Sequence, residues 1–143
     1  MGDIVREGLI NDYKNLAVLL TGVIGLESAT YYHNLSTFGS APYIRLADKK
    51  ITGTSNYPFV YLPQSRPLTE DIELIADSLW VTNKERTICD LLLYDPNSEF
   101  LFQSLEDYLA YHGVEKDLME YAIKYNCEKQ LTLALSELEE VRS

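Results

Sequence analysis

The sequence predicts an α+β protein, a small mixed β-sheet packed by helices and closed by a C-terminal group of three short helices. Short β-prone runs broken by Pro, Gly, Ser and Thr fill residues 39–80. Apolar residues at helical spacing flank that region on both sides. The strand-rich half comes first and the helices follow in a block, an order that segregates sheet from helices. With 143 residues the chain is expected to form a single domain over 1–143. A chain of this size buries about 68–70% of its unfolded surface, enough for a core without staples.

Residues 3–13 are mixed, with Gly8 in the middle, and fit either a strand over Gly8–Tyr13 or a frayed helical turn. Asn15 to Leu20 is apolar and stops at Thr21-Gly22, where Thr21 is expected to cap the next helix. In that helix Val23, Leu26, Thr30 and His33 fall at i, i+3, i+7 and i+10 with Ala29 beside them, a small apolar face. Asn34, tolerant of left-handed backbone, should end it. Tyr43–Ala47, Phe59–Leu62 and Leu79–Thr82 read as strands. Pro58 and Pro63 push the second of these towards a sheet edge or a strand end. Gly53-Thr54-Ser55-Asn56 reads as a turn. Thr69–Ala76, with Ile72, Leu74 and Ile75, fits a strand or a helical turn equally.

Thr82-x-x-Glu85 has the form of a capping box, opening a helix to about Leu93 with Ile88, Leu91 and Leu92 inward. Asp95-Pro96-Asn97-Ser98 breaks it. Glu99–His112 follows with Phe102, Leu105 and Leu109 on one side and Gly113 as its stop. Glu115–Asn126 repeats the form through Leu118, Ala122 and Tyr125, and Glu128–Glu140 closes through Leu131, Leu135 and Leu138.

Twenty-two acidic residues against twelve basic ones give a net charge of −10. The longest basic run is Lys49-Lys50, so direct DNA binding is not expected. Cys89 and Cys127 form no CxxC pair and read as core thiols in a reducing compartment. The N-terminus lacks the basic start and apolar stretch of a signal peptide, and no apolar run reaches a membrane span. The expected location is a cytoplasm, with no membrane partner.

No phosphate-binding glycine string is present. His33 has Ser28 and Glu27 near it in sequence, but Ser28 and His33 are five residues apart and no strained Gly-x-Ser-x-Gly elbow exposes the serine. A packed or capping ring is the favoured reading, and for His112, in the last turn before Gly113, a cation complementing the helix dipole. Arg86 and Asp90, four apart on one helix face, read as an ion pair pinning the helix to the sheet in preference to a substrate-orienting pair. Glu70, Asp71 and Glu73 have no spacing that fixes a metal and read as solvated surface. No catalytic residue, cofactor or metal is therefore expected. Eleven tyrosines are many for this length, and Tyr108, Tyr111, Tyr121 and Tyr125 on helix faces are the candidate interface, set against ordinary packing.

Ser28-Ala29 followed by His33, and Glu85-Arg86-Thr87 with Asp90 four residues after the arginine, occur in that order in one family. From about Gly8 to Leu138 the chain resembles the AbiEi-type antitoxins of bacterial abortive-infection systems. Asn34 stands where the family usually has Gly, and Thr30 where it often has Leu. Family members normally carry a winged helix-turn-helix ahead of this region, which represses their own promoter. This sequence starts where that module would end, and residues 1–13 resemble its exit. The family pairs with a nucleotidyltransferase toxin in type IV systems, in which antitoxin and toxin need not touch.

The resemblance implies a non-enzymatic C-terminal antitoxin domain without its DNA-reading head, acting in bacterial defence or counter-defence through protein contacts in the host cytoplasm. Ser28, Ala29, His33, Glu85, Arg86, Thr87 and Asp90 would then be its family motif, chiefly structural. The alternative is a phage or mobile-element inhibitor, for example an anti-CRISPR, whose acidic surface mimics nucleic acid. A third reading is a fragment of a longer repressor. The expected partner is a protein, either a basic nucleic-acid-handling protein or a component of a toxin system.

Overall fold

A computed structural model describes residues 23–35, 45–47, 59–61, 70–76 and 79–142. Among these residues five strands form one mixed sheet: β1 (Val23–Ile24), β2 (Arg45–Ala47), β3 (Phe59–Tyr61), β4 (Ile72–Ala76) and β5 (Leu79–Thr82), in the order β3-β2-β1-β5-β4. β1 runs antiparallel to β2 and parallel to β5, β2 is parallel to β3, and β4 is antiparallel to β5. The proline-flanked strand, β3, lies at an edge of this sheet, where a missing N–H is tolerated. The undecided segment before residue 77 is a strand, β4, at the other edge. Its Leu74 lies opposite Trp80 of β5, and both side chains are exposed.

The helices are α1 (Leu26–Tyr32), α2 (Lys84–Tyr94), α3 (Glu99–Asp107), a five-residue π turn (Tyr108–His112), α4 (Glu115–Lys124) and α5 (Glu128–Arg142). The α+β class and the C-terminal helices agree with the sequence reading. Among the described residues, no helix is long and apolar enough to cross a membrane.

One helix boundary differs from expectation. Val23 belongs to β1, not to the helix, and Thr21 lies outside the described residues. Val23 and Ile24 pair with Leu46 and Arg45 on one side and with Trp80 and Val81 on the other. That pairing overrides the helical period of Val23 with Leu26, because β-branched side chains suit a central strand. The chain then turns within two residues into α1. Leu26 takes φ 53°, a left-handed bend unusual for a branched side chain. At Gly25 a Cβ would come within 2.8 Å of Leu46 Cγ, so glycine permits the close approach of α1 to β2. The rest of the expected face, Leu26, Ala29, Thr30 and His33, is buried.

α1 and α4 end alike. Asn34 (φ 59°) follows α1, and its N–H bonds Tyr31 O while Leu35 N–H bonds Thr30 O. Asn126 (φ 59°) follows α4, with its N–H on Ile123 O and Cys127 N–H on Ala122 O. Each is a Schellman ending with asparagine at the left-handed position.

α2 is the hub. Residues Arg86 to Leu92 are buried without interruption, and α1, α3, α4 and α5 all pack on this helix. A helix covered all round has no outer face on which to place polar groups, so they need internal partners. The core runs from Leu26 and Leu46 through Ile88 and Leu91 to Leu105, Leu118 and Leu131. Cys89 and Cys127 are buried thiols within it.

Candidate functional site

The family-motif residues converge where the end of β5 becomes the first turn of α2. Asn83, not Thr82, is the N-cap: its Oδ1 accepts from Arg86 N–H at 2.8 Å. This corrects the expected Thr82–Glu85 capping box. Asparagine is the stronger cap of the two neighbours, and Thr82 is still in the strand. The Thr82 side chain turns inward, with its hydroxyl 2.6 Å from that of Thr87. Thr87 in turn donates to Asn83 O at 2.6 Å. Glu85 is also diverted, accepting from Tyr108 O–H at 2.8 Å.

His33, from the far end of α1, reaches the same junction. Its Nε2 lies 2.7 Å from Thr82 O and 3.4 Å from Glu73 Oε2. The ring is buried and stands edge-on to Tyr32. With Nε2–H donated to a backbone carbonyl, His33 ties α1 to the sheet and to the threshold of α2. Ser28 and Ala29 are also buried on α1.

Arg86 and Asp90 form the expected pair, Nε to Oδ2 at 3.3 Å, with both side chains buried. Arg86 Nη1 also donates to Glu70 O at 2.6 Å, just ahead of β4. The guanidinium therefore pins α2 to the chain entering the edge strand. Next to Glu70, Asp71 bends at φ 53°, a conformation aspartate tolerates better than most residues, and its carbonyl accepts from Asn83 N–H at 2.8 Å. Asp71 Oδ2 accepts from Lys124 Nζ at 2.7 Å and from the Tyr125 hydroxyl. Burial raises the Asp71 carboxyl, but the hydrogen bonds from Lys124 and Tyr125, with the charges of Lys124 and Arg86, outweigh it and leave it below its ordinary value. Burial, then the bond to Asp71, raises the Tyr125 phenol; burial, then the bond to Glu85, raises Tyr108. Both hydroxyls stay protonated and donate.

The tyrosines expected at an interface therefore divide. Tyr108 and Tyr125 are buried, and their hydroxyls are committed to Glu85 and Asp71, so they serve packing and not an outer surface. Tyr121 is half-buried, its phenol raised by burial and by the charges of Asp71 and Glu85. Tyr111 is 82% exposed and is the one of the four presented to solvent. Gly113 is set against the Tyr108 ring, where a Cβ would fall 2.4 Å from the hydroxyl oxygen. Its N–H bonds Tyr108 O at 2.9 Å and closes the π turn. His112 occupies the expected last turn, but burial and the nearby Lys84 lower its pKa, so a neutral ring and not a cation ends the turn near neutral pH.

In this junction His33, Arg86 and Asp90 tie α1, α2 and the chain entering β4 together. Among the described residues, no three His, Cys, Asp or Glu side chains are placed to hold a metal ion. Glu70 and Asp71 face Lys124, and Glu73 faces His33, so the three carboxylates do not converge. Sequence reading missed Asp71, Asn83 and Lys124 as members of the network. The Asn cap was detectable from residue type alone; the Asp71–Lys124 contact spans 53 residues and left no local sign.

No known family model matches the chain, and no curated protein matches it.

Proposed function

We propose that the chain is a non-enzymatic, AbiEi-like antitoxin domain that acts in bacterial defence or counter-defence through contacts with another protein. The observation that carries this reading is the 2.7 Å bond from His33 to Thr82 O, which joins the first motif string to the doorstep of the second. Two strings widely separated in sequence thus share one buried scaffold, as parts of one inherited domain would. The groups of a type able to do chemistry, His33, Arg86 and Asp90, are engaged with carbonyls and with one another, which favours a binding role. The test is co-expression with the nucleotidyltransferase toxin of an AbiE-type system. Restored growth is the expected result; continued growth arrest with the protein present and soluble overturns the proposal.

A second reading has its own support in the acidic character of the C-terminal helices. An inhibitor that mimics nucleic acid would bind a basic nuclease or CRISPR effector, and its affinity would fall steeply with salt. Tight binding unchanged at high salt removes it.

A further inference from the structure

Two adjoining cavities open on the outer side of the C-terminal helices. One, of about 570 Å³, lies between the end of α3 and the end of α5, with Phe102, Leu138 and Val141 as its apolar lining and Glu106, Asp107 and Glu137 around it. The other, of about 320 Å³, continues past the shared Leu138 over Leu109, Met119 and Leu135, with Glu115 and Glu139 at its margin. The two share Leu138, and together they form a trough of mixed apolar and acidic lining, with five carboxylates and no lysine or arginine among the described lining residues.

We propose that this trough is a docking site for a basic amphipathic helix of a partner protein. The proposal rests on the reading that the chain works through protein contacts, and it specifies the partner's chemistry. Charge complementarity selects the occupant: a second copy of this acidic chain would bring like charge to the rim, whereas a helix with one apolar and one lysine- or arginine-rich face meets both features. The apolar stripe is incompletely covered, since Leu109, Met119 and Leu135 are only partly buried and Val141 is 85% exposed. Met119 adds an adaptable, polarizable surface of the kind that accepts more than one helix sequence. The rim is also electrostatically crowded. Burial and the neighbouring Glu106 raise the Asp107 carboxyl, a repulsion that an incoming cation relieves.

The test uses fluorescently labelled synthetic peptides of about 18 residues, five turns of helix, titrated against the full chain by anisotropy. One carries Leu and Lys at amphipathic spacing, a second Leu and Glu, and a third Lys and Ser with no apolar face. The Leu/Lys peptide is expected to bind at least about tenfold more tightly than either control, and less tightly as salt rises. Glu106→Lys combined with Glu137→Lys, both at exposed positions, should weaken it by about tenfold or more. Val141→Asp tests the apolar contact separately, and circular dichroism checks that each variant is folded. Amide-exchange protection in the complex should fall on α3, α4 and α5. Equal binding of the Leu/Lys and Lys/Ser peptides, indifference to the charge reversals, or protection confined to the Leu74–Trp80 face of the sheet would each overturn the proposal. Toxin rescue is read independently, so failure of the trough and failure of the antitoxin reading are distinguishable.

Discussion

The junction at the start of α2 and the trough on the C-terminal helices are built from opposite materials. At the junction, residue types usually associated with chemistry are buried and bound: His33 to Thr82 O, Arg86 to Asp90 and to Glu70 O. In the trough, ordinary leucine and phenylalanine side chains are left partly uncovered beneath a carboxylate rim. A catalytic-looking residue set is weak support for activity when backbone carbonyls occupy its donors. A plain helical stripe becomes informative when none of the described elements finishes covering it.

The sharpest way to break this contrast is to remove Arg86. Arg86→Met should remove the buried cation that pairs with Asp90 and destabilise the fold by about 3–5 kcal/mol, measured by urea denaturation. Arg86→Met with Asp90→Leu should recover part of the loss, because the buried carboxylate is removed together with its cation. A double variant as unstable as the single would mean that the bond to Glu70 O, and not the ion pair, carries the effect. Neither change should alter peptide binding in the trough as long as the protein is folded.

A smaller effect is expected at Gly113. Gly113→Ala forces a methyl group against the Tyr108 ring and should cost about 1–3 kcal/mol by overpacking. Part of that loss should disappear in a Tyr108→Phe background, where the hydroxyl and its bond to Glu85 are already gone. Additive losses would place the strain elsewhere in the π turn.

The smallest effect concerns the Asp71–Lys124 contact at the edge of the junction, where the lysine is 46% exposed. Asp71→Asn should cost about 1 kcal/mol near neutral pH, since solvent discounts the pairing. The sign with pH follows from the depressed carboxyl. Its contribution is present above the ordinary value of 3.8 and is lost as pH falls through the lower folded value. The stability difference between wild type and Asp71→Asn should therefore shrink in acid; a difference that stays constant would show that the carboxylate charge is not what matters.

Much of the helical half was legible because its signals are local. The break at Asp95–Ser98, the Gly113 stop and the leucine stripes each act within a few residues. The edge placement of β3 followed from its flanking prolines. β1 was not legible: two residues carry no period of their own, and Val23 also satisfied a helical one. The capping box matched in form, but its members had stronger partners in three dimensions, Thr82 in Thr87 and Glu85 in Tyr108. The burial of Tyr108 and Tyr125 was not legible for the same reason, since residue type does not disclose which hydroxyl meets Asp71 across 54 residues. Residues 1–22, which include the expected remnant segment, and the turn at Gly53–Asn56 lie outside the described residues.

Cys89, on the hub helix, and Cys127, at the entry to α5, are both fully buried. They equip the molecule with two built-in clocks for breathing motions. A thiol-alkylating reagent reaches Cys127 once the last helix peels away, whereas Cys89 reacts only after the hub itself is laid bare. Labelling each in turn, by mutating the other to serine, would time partial detachment of the terminal helix against complete collapse.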